Sequence, residues 1–215
     1  MSSLIAYLGA KGVQFRSNTA ITGFATSNDR ITGVTTSTGI LEADEIVLAT
    51  GVWSGQLARQ LSLKIPMVGG RGYSVTYENS PYKLHHSIIL SEARVAISPM
   101  DGNKLRFGGT MEITGIDAPP RMKRVQGIPE SVARYLPEIN LAMPPEKDIW
   151  YGYRPCSADG LPHIGRTSKW KNLTVATGHS MLGISLGAAT GKLVQEVIQG
   201  KATTMDIQPF TVERF

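Results

Sequence analysis

The sequence predicts a mixed fold, partly layered α/β and partly α+β. A central antiparallel sheet with helices on one face lies between two segments of the layered type. Three observations carry this. Two apolar runs, Ile46-Val47-Leu48-Ala49 and Leu173-Thr174-Val175-Ala176, each end in Thr-Gly and lead into a helical pattern, as parallel strands do in layered domains. Between them, from Lys64 to about Ile113, long β-type segments alternate with turn signals. The stretch from Gly183 to Gln199 then has helical periodicity ahead of Gly200, a suitable C′ residue. The resulting division is 1–63, 64–149 and 150–215.

Taken in order, Val13–Phe15, Ile21–Thr26 and Ile31–Thr36 read as strands bounded by Gly, Asn, Asp or Ser. The run Ile46–Ala49 reads as a strand covered on both faces. Trp53, Leu57 and Leu61 recur every four residues beside Ala58, forming one apolar stripe on a short helix that stops before Pro66. Tyr73–Tyr77, Ser87–Leu90, Arg94–Ser98 and Lys104–Ile113 are the strands of the central sheet, the last two joined through Asp101-Gly102-Asn103. Pro119-Pro120 opens a polar, basic segment, and Pro129 stands where a first helical residue would, ahead of Val132, Leu136 and the closing Pro137. Trp150–Tyr153 is a further strand. On the last helix Leu186, Ala189, Leu193, Val194, Val197 and Ile198 share an apolar face.

Composition narrows the function classes. With 41% hydrophobic residues and a single cysteine among 215, the chain can build a core without disulfides, and no Cys/His spacing suits zinc. A reducing, cytoplasmic setting follows, with peripheral contact at the inner face of a membrane, or with a quinone, still compatible. No uninterrupted apolar run is long enough to span a bilayer, and Met1–Gly12 lacks the pattern of a secretory leader. The net charge of +5 comes from scattered basic residues, so nucleic acid is not the expected partner, while a small anionic substrate would not be repelled.

Two segments could carry chemistry. Gly183, Gly187 and Gly191 are spaced by four and bare one face of the last helix, whose free N–H groups and dipole suit an anion or polarised carbonyl. Tight helix-on-strand packing is the alternative. Tyr151-Gly152-Tyr153-Arg154-Pro155 offers a planar guanidinium among aromatics, suited to a carboxylate, with a structural Arg tied to carbonyls or to Asp159 as the alternative. Arg71, Arg94 and Arg106 are weaker candidates whose default as strand residues is exposure. His179 reads either as a base or as a hydrogen-bonded structural residue, and Cys156 as a redox thiol, a flavin attachment point or an inert buried thiol. Trp53 and Trp150 are expected in the core. No catalytic dyad and no metal cluster is evident.

Together these motifs resemble the C-terminal half of the D-amino-acid oxidase superfamily of FAD-dependent oxidoreductases, in its branch of bacterial D-amino-acid dehydrogenases and glycine oxidases. The resemblance rests on Ala43–Ser54, Arg71-Gly72-Tyr73-Ser74, Gly108–Glu112, Tyr153-Arg154-Pro155 with Asp159-Gly160-Leu161-Pro162, and Ala176–Gly191, in the family's order. It implies FAD as cofactor and oxidation of a D-amino acid or related small amino acid to a 2-oxo acid, by hydride transfer from Cα to flavin N5. By this match Arg154 holds the substrate carboxylate, with Tyr73 and Met181 as further pocket residues, and Gly152 passes near the flavin ring. His179, Ser180, Met181, Leu182, Gly183, Ile184 and Ser185 line its pyrimidine edge, Val13 meets adenine, and Gly51 and Trp53 border the ribityl and pyrophosphate region. Met181 stands where glycine oxidase presents an Arg, which implies a more apolar roof.

The G-x-G-x-x-G strand-turn-helix with which family members begin is not found in this sequence. Residue 1 matches roughly the middle of a full-length member. A truncated or split form is therefore expected, with 1–63 and 150–215 as parts of the FAD-binding domain and 64–149 as the substrate domain. Alternatives are a non-catalytic fragment, or a complementing subunit that cannot hold FAD without a partner chain supplying the dinucleotide-binding half. Oxidation of N-methyl or cyclic amino acids such as sarcosine or proline is a further one.

Overall fold

The computed structural model describes all residues, Met1–Phe215. In chain order the elements begin with α1 (Ser2–Ala10), β1 (Ile21–Ser27), β2 (Arg30–Thr36), β3 (Gly39–Glu42), β4 (Ile46–Leu48), α2 (Ser54–Gln60) and β5 (Met67–Tyr77). There follow β6 (Ile88–Leu90), β7 (Val95–Met100), β8 (Lys104–Thr114), α3 (Met122–Tyr135), β9 (Ile149–Ser157), β10 (His163–Arg166), β11 (Leu173–Thr177) and α4 (Gly183–Ile198). They form three sheets, with strand orders β1-β2-β3, β10-β11-β4 and β6-β7-β8-β5-β9. No helix is long and apolar enough to cross a membrane.

The two apolar runs pair in parallel, as their composition implies, with Leu173 opposite Ile46 and Val175 opposite Leu48. Each ends in a glycine at positive φ, Gly51 at +57° and Gly178 at +85°, which turns the chain sharply out of the sheet at its carboxyl edge. β10 adds antiparallel to β11. Ile31, Leu48, Ala58, Leu61, Leu63, Trp170, Leu173 and Val175 form one core beneath these strands. The long middle sheet is antiparallel throughout, and its own core, built on Tyr73, Val75, Val95, Ile97, Leu105 and Phe107, is closed by Val125, Ile128 and Val132 of α3.

Several expectations change. Val13–Phe15 forms no strand, because no neighbouring strand pairs with it, and the residues before it form α1, a helix with no buried side chain. β4 is covered on one face only, with Val47 exposed. Pro129 lies inside one continuous helix rather than at the start of one: α3 begins at Met122, and packing of Val125, Ile128 and Val132 outweighs the lost N–H of Pro129. β3 and β10 were not expected; both are short and held by pairing more than by composition. β9 begins at the boundary expected between the middle and last parts, yet pairs along its whole length with β5, so the middle sheet draws in residues up to Ser157. On α4 only Thr190 and Leu193 are buried, and Leu186 and Ala189 of the anticipated apolar face stand in the open.

Candidate active site

Strand alternation gives the middle sheet two faces of different chemistry. On the face beneath α3, Arg71 is fully buried, and its Cζ lies 5.5, 5.7 and 5.9 Å from the ring centroids of Tyr73, Tyr151 and Tyr153. Its Nε donates to Glu112 Oε1 at 2.7 Å, and its two terminal nitrogens donate to the carbonyls of Ala118 and Pro119 at 2.5 and 2.8 Å. Tyr73 Oη donates to the same Glu112 oxygen at 2.7 Å and accepts from the Arg121 amide at 2.9 Å. Burial works against the Glu112 charge, but the hydrogen bonds from Tyr73 and Arg71 and the charges of Arg71 and Arg121 outweigh it, so its pKa falls below the usual carboxylate value. The expectation of an exposed Arg71 is corrected, because its side chain is sealed in this cluster; the Tyr73 hydroxyl belongs to the cluster too, while Tyr73 also contributes to the lining of the pocket over the opposite face.

The opposite face has no helix over it. Gly70, Gly72 and Ser74 of β5 stand beside Arg154, Gly152 and Trp150 of β9, with Gly108 of β8 opposite Ser74. The guanidinium of Arg154 lies directly over Gly72, where an added Cβ would come 2.7 Å from Cζ. The indole of Trp150 lies over Gly152, where an added Cβ would meet its ring at 2.5 Å. Bare backbone at these positions lets two large side chains lie flat across the sheet. Trp150 is 66% exposed and Trp53 is 52% exposed, so neither belongs to the core as anticipated; each projects from the surface. An open pocket of ≈ 460 Å³ lies over this floor. Arg154 is half-buried, and its Nη1 is fully buried without a hydrogen-bond partner. Clefts of ≈ 620 and ≈ 650 Å³ lie elsewhere, beside α3 and beside the β1–β2 turn, but neither is lined by an orphaned buried donor. Asp159, the alternative partner of Arg154, is taken by a bidentate pair with Arg214 at 2.7 and 2.9 Å, which holds it well below the usual carboxylate range.

The loop into α4 is fastened to the same strand. Cys156 and His179 form a β-bridge, the Ser180 amide donates to Pro155 O at 3.0 Å, and Ser180 itself lies at φ +50°. Cys156 is half-buried, with Sγ 3.6 Å from Ser180 Oγ. The His179 ring is hydrogen-bonded to Thr190 Oγ1 at 2.9 Å, bracing the loop against α4, and burial lowers its pKa. Its ring is thus used structurally. Beyond it, Ile184 through Ala189 are all exposed, Ile184 completely, and an added Cβ on Gly187 or Gly191 would meet nothing within 4 Å. Met181, Leu182 and Ser185 are exposed and Gly183 is half-exposed on the same segment. The bare face does not pack on a strand.

Gly51 and Trp53 sit at the same carboxyl edge. Thr177 Oγ1 donates to Gly51 O at 3.1 Å and accepts from Ser54 Oγ at 2.9 Å, linking the ends of the two parallel strands. Open α/β sheets bind ligands at this edge. The structure thus gathers Arg154, Gly152 and residues 179–185 on one side, and Gly51 with Trp53 beside the same strand ends. Val13 is not joined to them; its amide closes α1 on Leu8 O at 3.1 Å. Sequence reasoning missed Trp150 and the floor of Gly72, Ser74 and Gly108. The signal was a small residue at every second position of β5, which marks one strand face as a surface of close approach.

A family model described as FAD dependent oxidoreductase (DAO) matches residues 1–197. The chain belongs to this family. It is 34% identical to a D-amino acid dehydrogenase of Bradyrhizobium diazoefficiens across 99% of this chain and 50% of that protein. It is also 34% identical to a glycine oxidase of Pseudomonas putida, across 97% of this chain and 56% of that protein. Glycine oxidase from Geobacillus kaustophilus superposes with a TM-score of 0.86 at 27% identity, covering 99% of this chain and 57% of that one. The DAO-family chain spans about half the length of the curated relatives it matches.

FAD is the cofactor of the DAO family. The residues present fit it on two observations of this structure. The exposed first turns of α4 present glycines whose missing side chains leave open space, and the adjoining sheet floor keeps a buried guanidinium nitrogen without a partner.

Proposed function

We propose that the chain supplies the substrate-binding surface and part of the flavin-binding surface for FAD-dependent oxidation of a small D-amino acid to its 2-oxo acid. Residues 64–149 with β9 form the substrate side. Residues 1–63 and the remainder of 150–215 form the flavin side. The observation that carries this reading is the orphaned Nη1 of Arg154, buried over a floor of glycine and serine and two residues from the strand's bridge to the α4 loop.

FAD, when bound, supplies the acceptor for the hydride leaving the substrate Cα. Arg154 receives the carboxylate and fixes how Cα is presented. Trp150 covers the aliphatic part of the substrate and keeps water from the floor. No side-chain base is needed: the amine loses its proton to solvent before oxidation, and the imino acid is hydrolysed to 2-oxo acid and ammonia. Residues 179–185 hold the cofactor's ring edge, and the N–H groups opening α4 favour negative charge there. Gly51 and Trp53 flank the chain that joins ring to pyrophosphate.

The test uses two variants of the chain, read by FAD fluorescence quenching and by calorimetry with a simple carboxylate. Gly187→Val is expected to keep the thermal midpoint, since the site is open, and to weaken FAD binding at least tenfold. Arg154→Gln is expected to leave FAD binding alone and weaken carboxylate binding by roughly two to three orders of magnitude, because an unpaired buried partner costs about 3 to 5 kcal/mol. Carboxylate affinity unchanged in Arg154→Gln overturns the assignment. The bare α1 and the bare first turns of α4 favour a second reading, in which the flavin site is completed against another polypeptide; FAD affinity of the chain by itself in the millimolar range would select it.

A further inference from the structure

The open face of the middle sheet carries a second arginine that the reading above does not use. Arg106 of β8 lies opposite Thr76 of β5, and its Nε donates to Thr76 Oγ1 at 3.2 Å. Thr76 follows Gly70, Gly72 and Ser74 at alternate positions of β5, so Arg106 and Arg154 project from the same face and line the same ≈ 460 Å³ pocket. Neither is ion-paired. The arginines that meet carboxylates are Arg71, Arg121, Arg124, Arg166 and Arg214. Two guanidinium groups without counter-charges, Arg154 half-buried and Arg106 exposed, stand at either end of a glycine and serine floor and favour a molecule carrying two anionic groups.

We infer that the substrate is a dicarboxylic amino acid, with Arg154 taking the α-carboxylate and Arg106 the side-chain carboxylate. This rests on the reading of Arg154 given above. Spacing sets the size. The Arg154 guanidinium sits over Gly72 and Arg106 Nε at Thr76, four residues along β5, or about 13 Å at about 3.3 Å per residue. A guanidinium–carboxylate contact takes up roughly 4 Å at each end. That leaves about 5 Å between carboxylate carbons, the span of an extended five-carbon diacid. The Trp150 indole over Gly152 lies alongside and would cover the methylene chain of a glutamate-sized molecule.

The experiment compares glutarate with butyrate, which share a carbon chain and differ by one carboxylate, binding to the 215-residue chain by calorimetry and by NMR of the arginine Nε–H signals. Glutarate is expected to bind at least tenfold more tightly than butyrate and to shift two arginine signals where butyrate shifts one. Arg106→Gln is expected to bring glutarate down to the butyrate level, and Arg106→Lys to keep part of the difference. Equal affinities, or a glutarate preference that survives Arg106→Gln, overturn the inference. Butyrate binding that depends on Arg154 without any gain for glutarate sinks the dicarboxylate assignment alone. Absence of Arg154-dependent binding of either acid sinks the carboxylate reading with it.

Discussion

At Arg71 a full positive charge is held without solvent contact, and what makes this tolerable is a complete set of acceptors: one carboxylate oxygen and two carbonyls. The two carbonyls belong to Ala118 and Pro119, so the arginine also fixes the connection from β8 into α3. Replacing Glu112 by Gln leaves Arg71 buried without its counter-charge. A loss of about 3 to 5 kcal/mol in urea unfolding is expected, with a smaller loss for Tyr73→Phe, which removes two hydrogen bonds, each worth about 1 kcal/mol. Little of this was legible in the sequence. Strand alternation says that Arg71 and Tyr73 share a face, but not which face; that is decided by α3, whose apolar residues arrive some fifty positions later. Arg154 stood out in the sequence as a guanidinium between aromatics and Pro at a strand end, but that setting left a structural pairing with Asp159 equally open, and only the fold shows Asp159 taken by Arg214. Trp150 did not stand out, because a large indole normally seeks a core, and only a glycine beside it in space lets it lie flat on an open floor.

The elements that were readable are those whose pattern and pairing agree. β4 and β11 are short apolar runs, and each stops at a glycine that leaves the sheet with positive φ. β6, β7 and β8 fell within two residues of their expected bounds because turns such as Asp101-Gly102-Asn103 punctuate them, whereas β5 begins six residues before the expected Tyr73 and β9 runs four beyond the expected Tyr153. α3 was misjudged through Pro129, a local signal overridden by burial of its neighbours. β10 was not seen at all; besides its pairing with β11 it is braced by the C-terminal tail, where Arg214 bridges Asp159, the carbonyls of Leu161 and Pro162, and His163 Nδ1 at 3.0 Å. A guanidinium has only hydrogens to give, so Nδ1 accepts and Nε2 carries the proton, buried without a partner. Burial first, and then the charge of Arg214, lower the His163 pKa. The folded state therefore resists a proton that the unfolded state takes up, and stability is full above about pH 6.5 and lost as pH falls below it. Thermal midpoints at pH 7.5 and 5.5 should differ in the wild type, and differ less in His163→Gln.

At the scale of the molecule, two cores lie side by side, one under the parallel strands and one between the middle sheet and α3. The first is incomplete at its rim. α1 buries nothing, Val47 faces outward from β4, and the opening turns of α4 show Leu182, Ile184 and Leu186 to solvent. Apolar surface of this extent is a site of association. The chain is expected to raise the fluorescence of an apolar dye, and Ile184→Glu to reduce that signal with the thermal midpoint held within about 2 °C, since a fully exposed side chain contributes no packing. Sequence patterning assigned Val47 and Leu186 inward, because periodicity reports which side of an element is greasy and not what covers it, whereas Leu182 and Ile184 were expected at a cofactor's edge by family resemblance alone.

The bridge between Cys156 and His179, with the Ser180 amide on Pro155, ties the last strand of one core to the turn that opens the last helix of the other. The two halves of the pocket are consequently not jaws. They share a backbone seam, so a shift of the loop into the last helix is felt two residues away at Arg154.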